Sequence, residues 1–162
     1  MQSVNQKKFT STYIYALLIL MMVFVNACSN RKKEYYHSFR DHTWKRFDIL
    51  NFQIPIEKTG VPFDFLFFAH PTKDFEFDNL NFNMVMTTPS GEERIREYNF
   101  PIKNFNTFYG TCTGDSCEEV IPLKTGMVFT DKGILKIEIE NLVPRLETRG
   151  LLGVGIRMVE AR

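Results

Sequence analysis

Three carboxylates offer the first chemistry to weigh. In "KDFEFDN", Asp74, Glu76 and Asp78 alternate with Phe75 and Phe77, which places the acids on one face of an extended segment. Such a row could ligate calcium, which takes six to eight oxygens, or act in pairs on a glycosidic bond. Without a cleft they form a solvated edge whose charge discourages strand pairing, and that is how we read them. Glu138 and Glu140 repeat the spacing opposite Leu135, Ile137 and Ile139, and are read as surface. His70, before Pro71 at a strand end, reads as a loop histidine. Trp44 with Phe47, or Tyr98 with Tyr109, could stack on a sugar ring, but packing at the core or its rim is the simpler use for them.

The cysteines carry more information. Lys7 and Lys8 precede an apolar block from Tyr13 to Val25, and small Ala27 stands before Cys28. This is the layout of a secretory signal peptide, and the block is shorter than the roughly 20 residues a membrane-spanning helix needs. The order Val25, Asn26, Ala27, Cys28 resembles a lipobox, so residues 1–27 are expected to be removed and Cys28 acylated. Several acyl chains at about 0.8 kcal/mol per buried CH₂ make a firm anchor. Ser29 rather than Asp after the cysteine points to the outer membrane. Basic Arg31, Lys32 and Lys33, where surface-exported lipoproteins carry acids, point to its periplasmic side.

Cys112 and Cys117 lie in "YGTCTGDSCEEV". In an oxidising compartment a close, even pair reads as a disulfide across a Gly-containing loop. Metal ligation and free thiols are the alternatives, although zinc would need two further ligands and His37, His42 and His70 have no fixed spacing to the pair.

No cofactor, metal or catalytic residue is predicted. Gly150, Gly153 and Gly155 in "RGLLGVGI" are not in G-x-G-x-x-G order, and no G-x-S-x-G occurs. Loss of residues 1–27 removes two lysines and no acid, taking the formal charge from +1 to −1. A near-neutral chain lacks the basic stripe that nucleic acid requires.

The remaining chain of about 135 residues suits one domain. Residues 28–42 are charged and aromatic without a period and read as a lipid-anchored tether. From Trp44 the texture changes. Leu50, Phe52, Ile54 and Ile56 alternate with polar residues, as do Phe63, Phe65 and Phe67, then Leu80, Phe82, Met84 and Met86. The same period of two returns in Leu135, Ile137 and Ile139 and in Leu152, Val154, Ile156 and Met158, and marks strands buried on one face. Gly153 and Gly155 inside the last run mark a close backbone approach or a bulge. "TPSGEE" predicts a hairpin turn into "ERIREYNFPI". Seven or eight strands and no sustained helical stripe predict an all-β, antiparallel, jelly-roll-like sandwich over residues 43–162.

The order of these features resembles one family. Trp44 before a strand, "FDFLFFAHPTKDFEFDNLNFNMVMTTPSG", "GTCTGDSCEEVIPL", Phe129 to Gly133 as "F-x-x-x-G", and Leu151 to Arg157 as "L-x-G-V-G-I-R" are together similar to the gliding-motility lipoprotein GldH family of Bacteroidota. The resemblance implies a non-enzymatic component of the gliding apparatus and its associated secretion system, with other envelope proteins as partners. A carbohydrate-binding lipoprotein on the same fold is the competing expectation.

Overall fold

The computed structural model describes residues 32–161, so the expected signal peptide and Cys28 lie outside the described residues. The first strands are β1 (Lys32–Ser38), β2 (Thr43–Lys45), β3 (Leu50–Ile56), β4 (Pro62–Pro71) and β5 (Asn79–Thr87). β6 (Glu93–Pro101), β7 (Lys103–Asn104), β8 (Thr107–Phe108) and β9 (Thr111–Thr113) follow. The chain closes with β10 (Ser116–Val128), β11 (Gly133–Asn141), β12 (Glu147–Arg149) and β13 (Leu151–Glu160).

Two sheets carry the long strands, in the orders β1-β13-β4-β10-β9 and β3-β11-β5-β6. The eight long strands pair antiparallel from the outside inward: β1 with β13, β3 with β11, β4 with β10, β5 with β6. A single two-stranded ribbon rolled up so that its halves alternate between two sheets is a jelly roll. The expected all-β sandwich is therefore the observed fold.

Its first strand was not foreseen. Lys32–Ser38, expected as tether, pairs residue by residue with β13, from Lys32 opposite Val159 to Ser38 opposite Gly153. Among the described residues the sheet therefore starts at Lys32, inside the segment expected as tether. The strand's alternation is hidden because only Lys33 and Tyr35 are half-buried, one of them charged, while His37 at the next position of that face is exposed.

The core forms where the alternating runs of both sheets meet. Phe67 of β4 lies 4.4 Å, centroid to centroid, from Phe82 of β5 and edge-on to Phe100 of β6. Tyr98 stacks on Phe82 and donates its hydroxyl to the Leu123 carbonyl, joining the two sheets on the β6 side. At one end the short β2–β12 pair closes the sandwich. Trp44 is fully buried there, stacks on Phe39 and donates its indole N–H to the Asp48 carbonyl at 2.9 Å. Buried Asn141 locks this end: its amide donates to Thr148 Oγ1 at 2.8 Å and its Oδ1 accepts the Val143 N–H at 2.9 Å.

Candidate functional site

The acids singled out from sequence do not converge. Asp74, Glu76 and Asp78 are exposed in the turn between β4 and β5, with Phe75 buried beneath them and Glu76 paired to Arg145 at 3.3 Å. Glu138 and Glu140 are exposed on the outer face of β11. Among the described residues no group of three or more His, Cys, Asp or Glu is placed to hold a metal ion. Neither proposed aromatic pair forms a platform: Trp44 is buried while Phe47 is exposed, and Tyr98 is occupied by Phe82 and Leu123 while Tyr109 is exposed in a separate loop.

The arrangement with the most specific construction is on the outer face of the five-stranded sheet. On β13, Gly153, Gly155 and Arg157 are two residues apart and so share that face. Opposite Gly155 in register stands Phe68 of β4, and opposite Gly153 stands Ser38 of β1, with Tyr36 one step along the same face. The glycines leave room for these rings to lie against the sheet. A β-carbon on Gly153 would overlap the Tyr36 hydroxyl and the His37 carbonyl, and one on Gly155 would overlap the Phe68 ring and the Tyr35 carbonyl. Tyr36 and Phe68 are nearly parallel, 7° apart, with His70 beside both.

Arg157 completes the plate. Its guanidinium lies 5.1 Å above the Phe68 ring, a cation–π contact, and reaches Glu34 of β1 at 2.6 Å and Glu118 of β10. One side chain thus spans four strands: it starts on β13, covers β4 and pairs with carboxylates on β1 and β10. Phe68 is only 3% exposed although it points away from the core, whereas Tyr36 keeps 47% of its surface open. Burial works against the charge of Arg157, but its bonds to Glu118 and Glu34 outweigh that and hold its pKa up. Glu34 is held below the ordinary carboxylate value, chiefly by its bond from Lys32 and further by Arg157. What this plate can do is bind by contact: it offers a flat ring, an imidazole and a charged rim, and no nucleophile poised against a base.

A second feature lies beside the disulfide. Cys112 and Cys117 face each other across β9 and β10 and are bonded, with Gly114 at φ +63° opening the two-residue loop between them. Glu119, buried on the inward side of β10, accepts the Gly110 N–H at 2.6 Å and so fixes the chain entering this hairpin. Burial raises its pKa, and the Gly110 bond offsets this only in part.

Sequence reading missed Tyr36, Phe68, Arg157 and Glu119. The signal for the first three was present in "L-x-G-V-G-I-R": two glycines and an arginine on one strand face describe a surface on which something broad must rest.

The described residues thus form an all-β jelly-roll sandwich that carries an aromatic and charged plate on the outer face of its five-stranded sheet. The chain belongs to the GldH lipoprotein family, whose model matches residues 31–158. The match covers the sandwich from the start of β1 to Met158, so β1 is part of the family's domain. Membership makes the chain a membrane-anchored envelope lipoprotein and associates it with gliding motility. No curated protein matches the chain.

Proposed function

We propose that the protein is an outer-membrane lipoprotein, cut before Cys28 and acylated there, that faces the periplasm and serves the gliding apparatus and its associated secretion system. Its part is non-enzymatic: the lipid holds the sandwich at the membrane and the sandwich docks another envelope protein. Tethering raises effective concentration, so a modest docking surface suffices. The observation that carries this reading is the family match across the whole sandwich, 31–158, in a chain whose preceding residues spell a lipobox. In-cell cross-linking of the lipidated protein, with mass spectrometry of what co-purifies from outer membranes, tests it. Gliding or secretion lipoproteins among the partners support the role, and their consistent absence sinks it. Cys28→Ala is expected to shift the protein out of the outer-membrane fraction, and unchanged fractionation would contradict the anchor.

The plate favours a second reading, glycan binding, because the half-exposed Tyr36 ring reaches over Gly153 beside His70 and parallel to Phe68. Glycan-array binding lost in Tyr36→Ala at unchanged stability would favour this reading over protein docking.

A further inference from the structure

Acylation at Cys28, the anchor proposed above on which this inference rests, fixes which end of the sandwich meets the membrane. Only Ser29, Asn30 and Arg31 separate Cys28 from Lys32, the first residue of β1. At no more than about 3.6 Å per residue, Lys32 stays within about 14 Å of the acylated cysteine. Register then identifies the anchored end: Lys32 stands opposite Val159 and Glu160 opposite Phe63, beside the turns that join β3 to β4 and β10 to β11. The other end, reached along β4, is about 33 Å further on at 3.3 Å per residue.

Among the described residues, the three most exposed apolar side chains all lie at that far end. Phe105 is 83% exposed, Phe47 79% and Leu146 69%, and Tyr109 and Ile49 are exposed with them. The segments bearing them form one cap. The Arg46 N–H donates to the Leu146 carbonyl, Arg145 pairs with Glu76 and lies over Phe77, and the Ile102 and Lys103 N–H groups donate to the Asp78 carbonyl. Phe105 sits at the tip of the β7–β8 hairpin with φ +52°, a left-handed conformation that costs a non-glycine residue roughly 1–2 kcal/mol. The fold therefore holds a phenylalanine, at a conformational cost, where it buries nothing. Exposed apolar clusters of this kind mark contact with a partner.

A bilayer is the other surface that takes up exposed phenylalanines, but the anchor lies at the opposite end of the sandwich. We infer that the far end is the docking surface for a neighbouring envelope protein, one that stands off the bilayer and offers apolar pockets to Phe47, Phe105 and Leu146.

The test places a photo-cross-linking phenylalanine analogue at position 47, 105 or 146 of the full-length, lipidated chain in cells. Glu138 on the outer face of β11 serves as the control position. The expected result is one discrete adduct, the same envelope protein from all three far-end positions, absent from position 138. A triple change to serine, Phe47→Ser, Phe105→Ser and Leu146→Ser, should reduce recovery of that protein at least tenfold at an unchanged melting temperature. An adduct of this chain with itself, an adduct with lipid, equal adducts from position 138, or no adduct overturns the inference. Fractionation of the same cells separates its failure from failure of the anchor: a protein absent from the membrane fraction defeats the Cys28 reading, whereas a membrane-bound protein without the adduct defeats the docking surface.

Discussion

The Phe68 ring rests over Gly155, and a β-carbon at Gly155 would fall within 3 Å of the ring and of the Tyr35 carbonyl. The clash with Tyr35 involves β1 backbone, so rotation of Phe68 alone cannot relieve it. Gly155→Ala is therefore expected to destabilise the domain by about 1–3 kcal/mol, the usual cost of forcing a methyl into packed space. Urea denaturation of a soluble form beginning after Cys28 measures this, and a change under 0.5 kcal/mol would show that the rings are free to lift.

How much of this was legible depends on which rule each residue obeys. The runs in β3, β5 and β11 alternate cleanly because one face meets the core and the other is more open to water, whereas in β13 a register shift after Leu151 puts that residue, not Leu152, in the core. Phe68 breaks that rule, since Arg157 buries it from outside, and nothing local to "FFAH" distinguishes its burial from that of Phe67. Glu118 and Glu119 are identical neighbours in sequence. The pleat alone sends one out to Arg157 and the other in to Gly110. The glycines and the cysteine pair were readable because backbone approach and short-range bonding leave fixed residue types at fixed spacing.

β1 makes the first strand of the rolled ribbon, so removal of residues up to His42 should do more than shorten a tether. It would strip the partner from the β13 edge, uncover Gly153 and Gly155, and remove Glu34 from Arg157. A form starting at Thr43 is expected to aggregate or lose its cooperative transition, while one starting at Arg31 folds. Equal melting temperatures for the two would show that β1 is dispensable.

Asn141 satisfies two buried groups at once, Thr148 Oγ1 and the Val143 N–H. Replacing it with Ala leaves both without these partners in a region closed to water. A buried polar group left unpaired costs about 1–3 kcal/mol, and the loss should fall in that range or somewhat above it. Hydrogen exchange locates the effect: the Val143 amide is expected to exchange much faster, with the β4 amides changing only as global stability does.

Glu119 and Glu34 should drive stability in opposite directions as pH changes. Burial raises the pKa of Glu119, so the folded chain holds its proton more tightly than the unfolded chain. Its contribution is fully present below the ordinary carboxylate value and is lost as pH rises through the raised one. Glu34 is held low by Lys32 and Arg157, so its contribution is present above the ordinary value and is lost as pH falls through the lowered one. Glu119→Gln keeps an oxygen to accept the Gly110 N–H but cannot ionise. Relative to this variant, the native chain should lose stability as pH rises from the ordinary carboxylate value, about 4, toward the raised one, because the unfolded carboxyl has by then given up its proton. Arg157→Met keeps cover over Phe68 but frees Glu34 from one of its two cations, so the native chain's advantage over it should shrink as pH falls below about 4. Denaturation midpoints for the three proteins across that range measure both slopes, and parallel curves would mean that neither carboxylate senses the surroundings described here.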